Sequence, residues 1–220
     1  MPALAPKILY LHGFGSGPMS KKAMAFKDFA RDHDASLERL DLRRPSFERL
    51  RLSAMIEHTV ARIGGPAERV VLVGSSLGGL TACRVAERDA RVGALVLLAP
   101  AFGLRTLWEA RLGREGLSTW ETTGALEVDD YVSGTKATVD YGFYLDLAAH
   151  DPEVLPDVRV PTVIVHGLRD EVVPVERSRA FACGRPNVRL VEVDDGHELA
   201  ESLPRVLAEA ARHLAPWGLG

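Results

Sequence analysis

Val70-Val71-Leu72-Val73-Gly74-Ser75-Ser76-Leu77-Gly78-Gly79-Leu80 is the stretch whose reading decides the fold. Its run of branched apolar residues predicts a strand buried on both faces of a parallel sheet. The run breaks at Gly74-Ser75-Ser76-Leu77-Gly78, which fits G-x-S-x-G, and a helix-like segment follows from Leu80 to about Arg88. Strand, tight turn and helix are the context in which that pattern lifts a serine onto a sharp elbow above the sheet. Glycine suits positions 74 and 78, where a side chain would collide with the neighbouring strand or helix. The helix starting behind Ser76 would aim its free N–H groups and positive dipole end at a reacting centre. Taken alone, the same residues also describe a glycine-rich strand–helix turn in an ordinary α/β protein. The rest of the chain has to discriminate.

Outward from this stretch, β and α patterns alternate. Lys7 to Phe14 reads as a first strand running into the loop Gly15-Ser16-Gly17-Pro18. Ser20 is placed to cap a helix to about Arg31 with Ala23, Phe26 and Ala30 on one face. A short strand is expected at Leu37 to Leu42. Pro45-Ser46 then opens a helix on which Leu52, Ile56, Val60 and Ile63 share a face, stopped by Gly64-Gly65-Pro66. Beyond the elbow, Val92 to Pro100 contains another buried strand. Thr162 to Val165 and Val188 to Val193 are two more, separated by a helix over about Val175 to Cys183. Pro204 starts a last helix. Repeating units of this kind give a mostly parallel sheet covered by helices on both sides.

Between Ala101 and Arg159 the alternation lapses. This insert holds Phe102, Trp108, Trp120, Tyr131, Tyr141, Phe143 and Tyr144, half of the chain's Phe, Trp and Tyr residues. Plain connections in such folds run about 2–6 residues, so the insert is expected to serve a purpose. We read it as a small helical cap over the site, with Trp108 and Trp120 as substrate-binding candidates. The alternative is a subdomain that only completes the core.

At 220 residues the chain suits one domain with a substantial core. A net charge of −3 gives no reason to expect nucleic acid or an anionic membrane as partner. No apolar run approaches the ~20 residues of a membrane span. The opening Met1-Pro2-Ala3-Leu4-Ala5-Pro6 lacks the basic and apolar regions of a secretory leader. The two cysteines, Cys83 and Cys183, suggest neither a disulfide framework nor a metal cluster. A reduced, cytoplasmic setting is the expectation, with no metal and no cofactor.

In a sheet of this kind ligands sit beyond the carboxyl ends of the strands. Four such ends carry polar or glycine-rich chemistry: His12-Gly13-Phe14-Gly15, Ser76, Asp170 and His197. Serine is a poor nucleophile at neutral pH. It needs a base within hydrogen-bond reach, and the base needs an acid to fix its tautomer. His197 is the candidate base and Asp170 the candidate acid, in the chain order Ser, Asp, His. Asp194 and Asp195 rival Asp170 by nearness to His197, but residues so close in sequence seldom reach the far ring nitrogen. The oxyanion hole is expected from the backbone N–H groups of Leu77 and Phe14. His12 is expected to order the oxyanion loop and His166 to be structural. Lys21 and Lys22 read as a solvated helix face, with reception of an anionic substrate as the alternative.

His12-Gly13-Phe14-Gly15-Ser16, Gly74-Ser75-Ser76-Leu77-Gly78-Gly79, His166-Gly167-Leu168-Arg169-Asp170-Glu171-Val172-Val173-Pro174 and Gly196-His197 resemble the signature blocks of serine α/β-hydrolases. They run in the right order over residues 7–197. More narrowly, Tyr10-Leu11-His12-Gly13-Phe14 followed by Ser20-Lys21-Lys22-Ala23 resembles the small bacterial YqiA-like esterases. The elbow block also resembles that of mitochondrial acyl-protein thioesterases of the same superfamily. The resemblance implies an α/β-hydrolase fold. With six residues before Lys7, it implies a reduced sheet of about six strands. The function expected is hydrolysis of a small-molecule carboxylic ester or thioester through an acyl-enzyme on Ser76. The rivals are a peptidase or amidase on the same residues, and a ligand-binding protein on a hydrolase fold without turnover. A nucleotide site is not expected, because Gly13 to Pro18 matches neither G-x-G-x-x-G nor a P-loop.

Overall fold

Apolar strands in this chain can bury both faces only between two helical layers, and the computed structural model has that arrangement. It describes residues 6–66, 68–151 and 154–219. The leader reading rests almost wholly on residues 1–5, which lie outside the described residues. In chain order the elements are β1 Lys7–Leu11, α1 Lys21–Asp32, β2 Leu37–Leu40, α2 Leu52–Ile63, β3 Val70–Ser75, α3 Leu77–Ala86 and β4 Val92–Leu98. The insert follows as α4 Leu104–Thr123, β5 Ala125–Asp130, β6 Thr135–Asp140 and α5 Gly142–His150. The alternation then resumes with β7 Thr162–Gly167, α6 Glu176–Ala182, β8 Val188–Val193 and α7 Leu203–Leu214.

The main sheet has six strands in the order β2-β1-β3-β4-β7-β8, and every neighbouring pair is parallel. β3 and β4 are buried at every residue. Alternate residues face opposite layers. Leu9, Leu72, Leu95 and Ile164 join α2 and α3 in one core. Ile8, Tyr10, Val71, Val96 and Val163 join α1 and α7 in the other. Each fully buried Val, Leu or Ile contributes about 1.5–3 kcal/mol. The result is a rigid floor whose carboxyl edge carries the polar loops. Among the described residues no helix is long and apolar enough to cross a membrane.

Two expectations are corrected. The helix expected from Pro45-Ser46 begins only at Leu52. Residues 41–51 instead form a loop that buries Phe47 and Leu50 and ties down the insert. Arg43 pairs with Asp130 at 2.9 Å and Arg51 with Asp140 at 2.6 Å. The Asp140 N–H donates to the Glu48 carbonyl at 2.8 Å. At the start of α2, Asp146 accepts from the Ser53 N–H at 2.9 Å and from its hydroxyl at 2.6 Å.

The insert is also not purely helical. Between α4 and α5 it forms an antiparallel hairpin, with Leu126 opposite Val139 and Val128 opposite Ala137. The period-two alternation of Leu126 and Val128, answered by Ala137 and Val139 across Ser133-Gly134, is a strand signal in the sequence. The aromatic content drew the helical reading away from it. At the hairpin tip the Tyr131 N–H donates to the Gly15 carbonyl at 2.9 Å. A methyl group on Gly15 would meet the Tyr131 ring at 3.2 Å, and one on Gly17 would meet Val132 at 2.8 Å. The insert thus rests on the loop that follows β1.

Candidate active site

Ser76 lies between β3 and α3 with φ 53° and ψ −117°. Positive φ at a non-glycine residue is costly, and packing on both sides enforces it here. A Cβ on Gly74 would sit 2.5 Å from the Gly78 carbonyl oxygen, and one on Gly78 would overlap the Leu11 carbonyl. The two glycines of the motif are therefore steric requirements of the elbow. The Ser76 carbonyl accepts from Gly79 and Leu80 N–H at 2.8 and 3.1 Å, which starts α3. Leu77, the first residue of that helix, has an N–H with no intrahelical partner by position. The loop after β1 closes over the same point, since a Cβ on Gly13 would stand 3.2 Å from Ser76 Cβ.

His12 braces that loop. Its Nδ1 donates to the Gly13 carbonyl at 2.9 Å and its Nε2 accepts from the Leu42 N–H at 2.9 Å. Burial pushes its pKa below the ordinary imidazole range, in keeping with an Nε2 lone pair committed to a backbone donor. Phe14, the next residue but one, turns its ring into the insert. It lies 5.4 Å from Trp108 edge-on, 5.7 Å from Phe47 and 5.9 Å from Phe143 between centroids. Trp108 is buried, and its indole N–H has no acceptor among the described residues. Trp120 stands behind it, 1% exposed, with its own N–H donated to the Val139 carbonyl at 2.9 Å. The structure thus brings Trp108 against Phe14 and keeps Trp120 in the interior of the insert.

Asp170 and His197 leave the ends of β7 and β8. His197 Nδ1 donates to Asp170 Oδ2 at 2.8 Å, which leaves the His197 Nε2 lone pair to accept. Asp170 Oδ1 accepts from the Val172 and Val173 N–H groups at 2.8 Å each. His166 Nε2 stands 3.1 Å from Asp170 Oδ2. Burial acts to raise the Asp170 pKa. The hydrogen bonds from both imidazoles and the backbone outweigh it and hold the carboxyl well below its usual range.

The rival carboxylates are engaged elsewhere. Asp194 pairs with Arg169 at 2.7 Å. Asp195 accepts from the N–H groups of Gly196, Glu201 and Ser202 at 2.7, 3.0 and 2.8 Å, and so shapes the His197 loop from within.

Lys22 corrects the sequence reading. It is buried, and its Nζ donates to the carbonyl and the carboxylate of Glu198 at 3.0 Å each. It therefore ties α1 to the residue after His197 and does not lie on a solvated face. Adjacent helical residues point about 100° apart, so Lys21 is exposed while Lys22 is not. Among the described residues no group of three or more His, Cys, Asp or Glu is placed to hold a metal ion.

A parallel sheet with a serine elbow at its centre and an Asp–His pair on later strand ends defines an α/β-hydrolase fold. The chain belongs to the uncharacterised protein family UPF0227, whose sequence profile matches residues 7–210 and which is the YqiA-like group of the sequence resemblance. No protein of curated description matches the chain. Among solved structures it is similar to alpha/beta hydrolase domain-containing protein 10 from mouse, with TM-score 0.80, 23% identity, and 96% and 90% of the two chains covered. It is also similar to Est1E from Butyrivibrio proteoclasticus, solved with ferulic acid bound, at TM-score 0.73 and 21% identity, covering 96% and 90%. A monoacylglycerol lipase from Paleococcus ferrophilus matches at TM-score 0.68 and 17% identity, covering 94% of each chain. At these identities the likeness is one of fold.

Proposed function

We propose that the protein is a serine hydrolase acting on a carboxylic ester or thioester. The observation that carries this reading is the 2.8 Å bond from His197 Nδ1 to Asp170 Oδ2, made beyond the same sheet edge that presents Ser76. In the proposed cycle, Ser76 Oγ attacks the acyl carbon as His197 Nε2 takes its proton. The N–H groups of Leu77 and Phe14 hold the oxyanion. Asp170 stabilises the imidazolium and keeps its tautomer. The proton then passes to the departing alcohol or thiol. Water, deprotonated by His197, releases the acid from Ser76. The insert is the cap of this site, in a single domain spanning the chain. The neighbour solved with ferulic acid and the monoacylglycerol lipase fit a small-molecule ester as substrate.

The test is a hydrolysis screen over acyl esters, acyl thioesters and peptide amides of graded length, run beside labelling with a fluorophosphonate. Labelling at Ser76 with turnover of esters or thioesters supports the reading. Turnover of amides alone turns it into a peptidase or amidase. Labelling without any turnover points to a binding protein on this fold.

Two variants probe the surroundings. Trp108→Ala is expected to change acyl chain-length preference while sparing acetyl esters, because the indole lies against Phe14. Trp120→Ala is expected to act on the same preference only through Trp108 and to lower the melting temperature. Rates across a chain-length series read the difference, and an unchanged preference in both folded variants leaves the insert a core-completing subdomain. Lys22→Met is expected to slow fluorophosphonate labelling by roughly 10–100-fold through displacement of His197. Stopped-time labelling checks it, and an unaltered rate removes Lys22 from the support of the site.

A further inference from the structure

The β7 end carries a second histidine that the proposed mechanism does not use. His166 is fully buried. Its Nε2 faces two acceptors, the Val173 carbonyl at 2.8 Å and Asp170 Oδ2 at 3.1 Å. A lone pair aimed at two oxygens would be repelled by both, so the proton sits on Nε2. Nδ1 then accepts from the Ser178 hydroxyl, 2.7 Å away on α6. The donor and acceptor inventory closes only in this tautomer, with the serine supplying the proton that His166 lacks on that side.

We infer that His166 is a positioning residue for Asp170, its Nε2–H lying against the same Oδ2 that receives His197 and so sharing that oxygen between two imidazoles. The inference rests on the proposed pairing of Asp170 with His197. Its geometry has two consequences. The carboxylate is held on Oδ1 by the Val172 and Val173 N–H groups and on Oδ2 by two rings, so its rotation is blocked. The second donor also withdraws charge from Oδ2, which weakens the stabilisation of a protonated His197. His166 and a protonated His197 therefore compete for the same oxygen.

Four carboxylates near this cluster are already engaged, while Glu171, next to Asp170, is exposed to solvent. Glu192, opposite His166 in β8, is held by Arg179 of α6 at 2.7 Å. Asp194 is held by Arg169, and Glu198, next to His197, by Lys22 of α1. Asp195 is taken up by backbone N–H groups of its own loop.

The experiment is long-range 1H–15N NMR of the histidine rings as a function of pH. Three proteins are compared: the wild type, His166→Phe and His166→Gln. In the wild type, His166 is expected as the Nε2–H tautomer. In His166→Phe, which keeps a planar ring, slightly larger, and loses the donor, the His197 titration midpoint should move up by about 0.5 pH unit or more. In His166→Gln, which keeps a donor, the shift should be smaller. On an ester substrate, the acidic limb of kcat/KM should move up in step. A wild-type Nδ1–H tautomer at His166 overturns the inference whether or not the variants fold. So does an unchanged His197 midpoint in folded His166→Phe, which would leave His166 a packing group that affects melting alone. The NMR readout needs no turnover, so a chain that hydrolyses nothing would defeat the proposed function while leaving this inference to stand or fall on its own.

Discussion

Replacement of Ser76 by alanine is expected to abolish both fluorophosphonate labelling and hydrolysis while leaving the fold in place. The hydroxyl has no structural duty that the geometry requires. The backbone of residue 76 does the work of the elbow, donating to Leu98 and accepting from Gly79, Leu80 and Ala101. Alanine keeps every one of those bonds and the Cβ that packs near Gly13. By analogy with serine hydrolases, in which the nucleophile and base act as a unit, the loss in kcat should be on the order of 10⁶. Mass spectrometry of the labelled protein locates the adduct, and steady-state rates with circular dichroism complete the test. An adduct on another residue, or a fully active alanine variant, sinks the nucleophile assignment.

The second large effect is expected at Asp170. Asparagine there retains the shape and can still accept from Val172 and Val173. It replaces the charge that would stabilise protonated His197 with an amide, and it favours the wrong imidazole tautomer. A corresponding change in a serine protease lowers kcat by about 10⁴, and a loss of several orders of magnitude with modest change in KM is expected here. Asp194→Asn removes only an exposed pair with Arg169 and should leave kcat nearly intact. Asp195→Asn loosens the loop that carries His197, since its carboxylate collects three N–H groups. It should reduce stability and cost far less in kcat than Asp170→Asn. Parallel kinetics and melting curves on the three variants separate these outcomes. A crippled Asp194→Asn beside a near-normal Asp170→Asn would reassign the acid.

What was legible in the chain was what depends on near neighbours in sequence. The elbow could be read because strand, turn and helix are contiguous and because glycine is sterically required on both sides of Ser76. Of the six parallel strands, β1, β3, β4 and β7 followed from buried apolar runs, and the half-buried edge strands β2 and β8 from their places between helical periods. The hairpin over 125–140 also left its alternation in the sequence, although the aromatic residues around it suggested helices. The sharing of Asp170 Oδ2 by His166 and His197 was not legible. His166 lies at the end of β7 and Asp170 four residues on in the loop after it, His197 follows another strand, and only the packing of β7 beside β8 sets the three within hydrogen-bond distance. The same holds for Lys22. In sequence it is one of two adjacent lysines, and the local pattern treats them alike. Helix geometry points them about 100° apart, and burial of α1 against the His197 loop takes one of them out of water and onto the Glu198 carbonyl. Sequence by itself determined which chemical groups the strand ends carry, because that chemistry is written in residue type and order. Tertiary structure alone decided that one oxygen of Asp170 meets two imidazoles, because a hydrogen bond depends on distances of tenths of an ångström between loops that the chain order keeps apart.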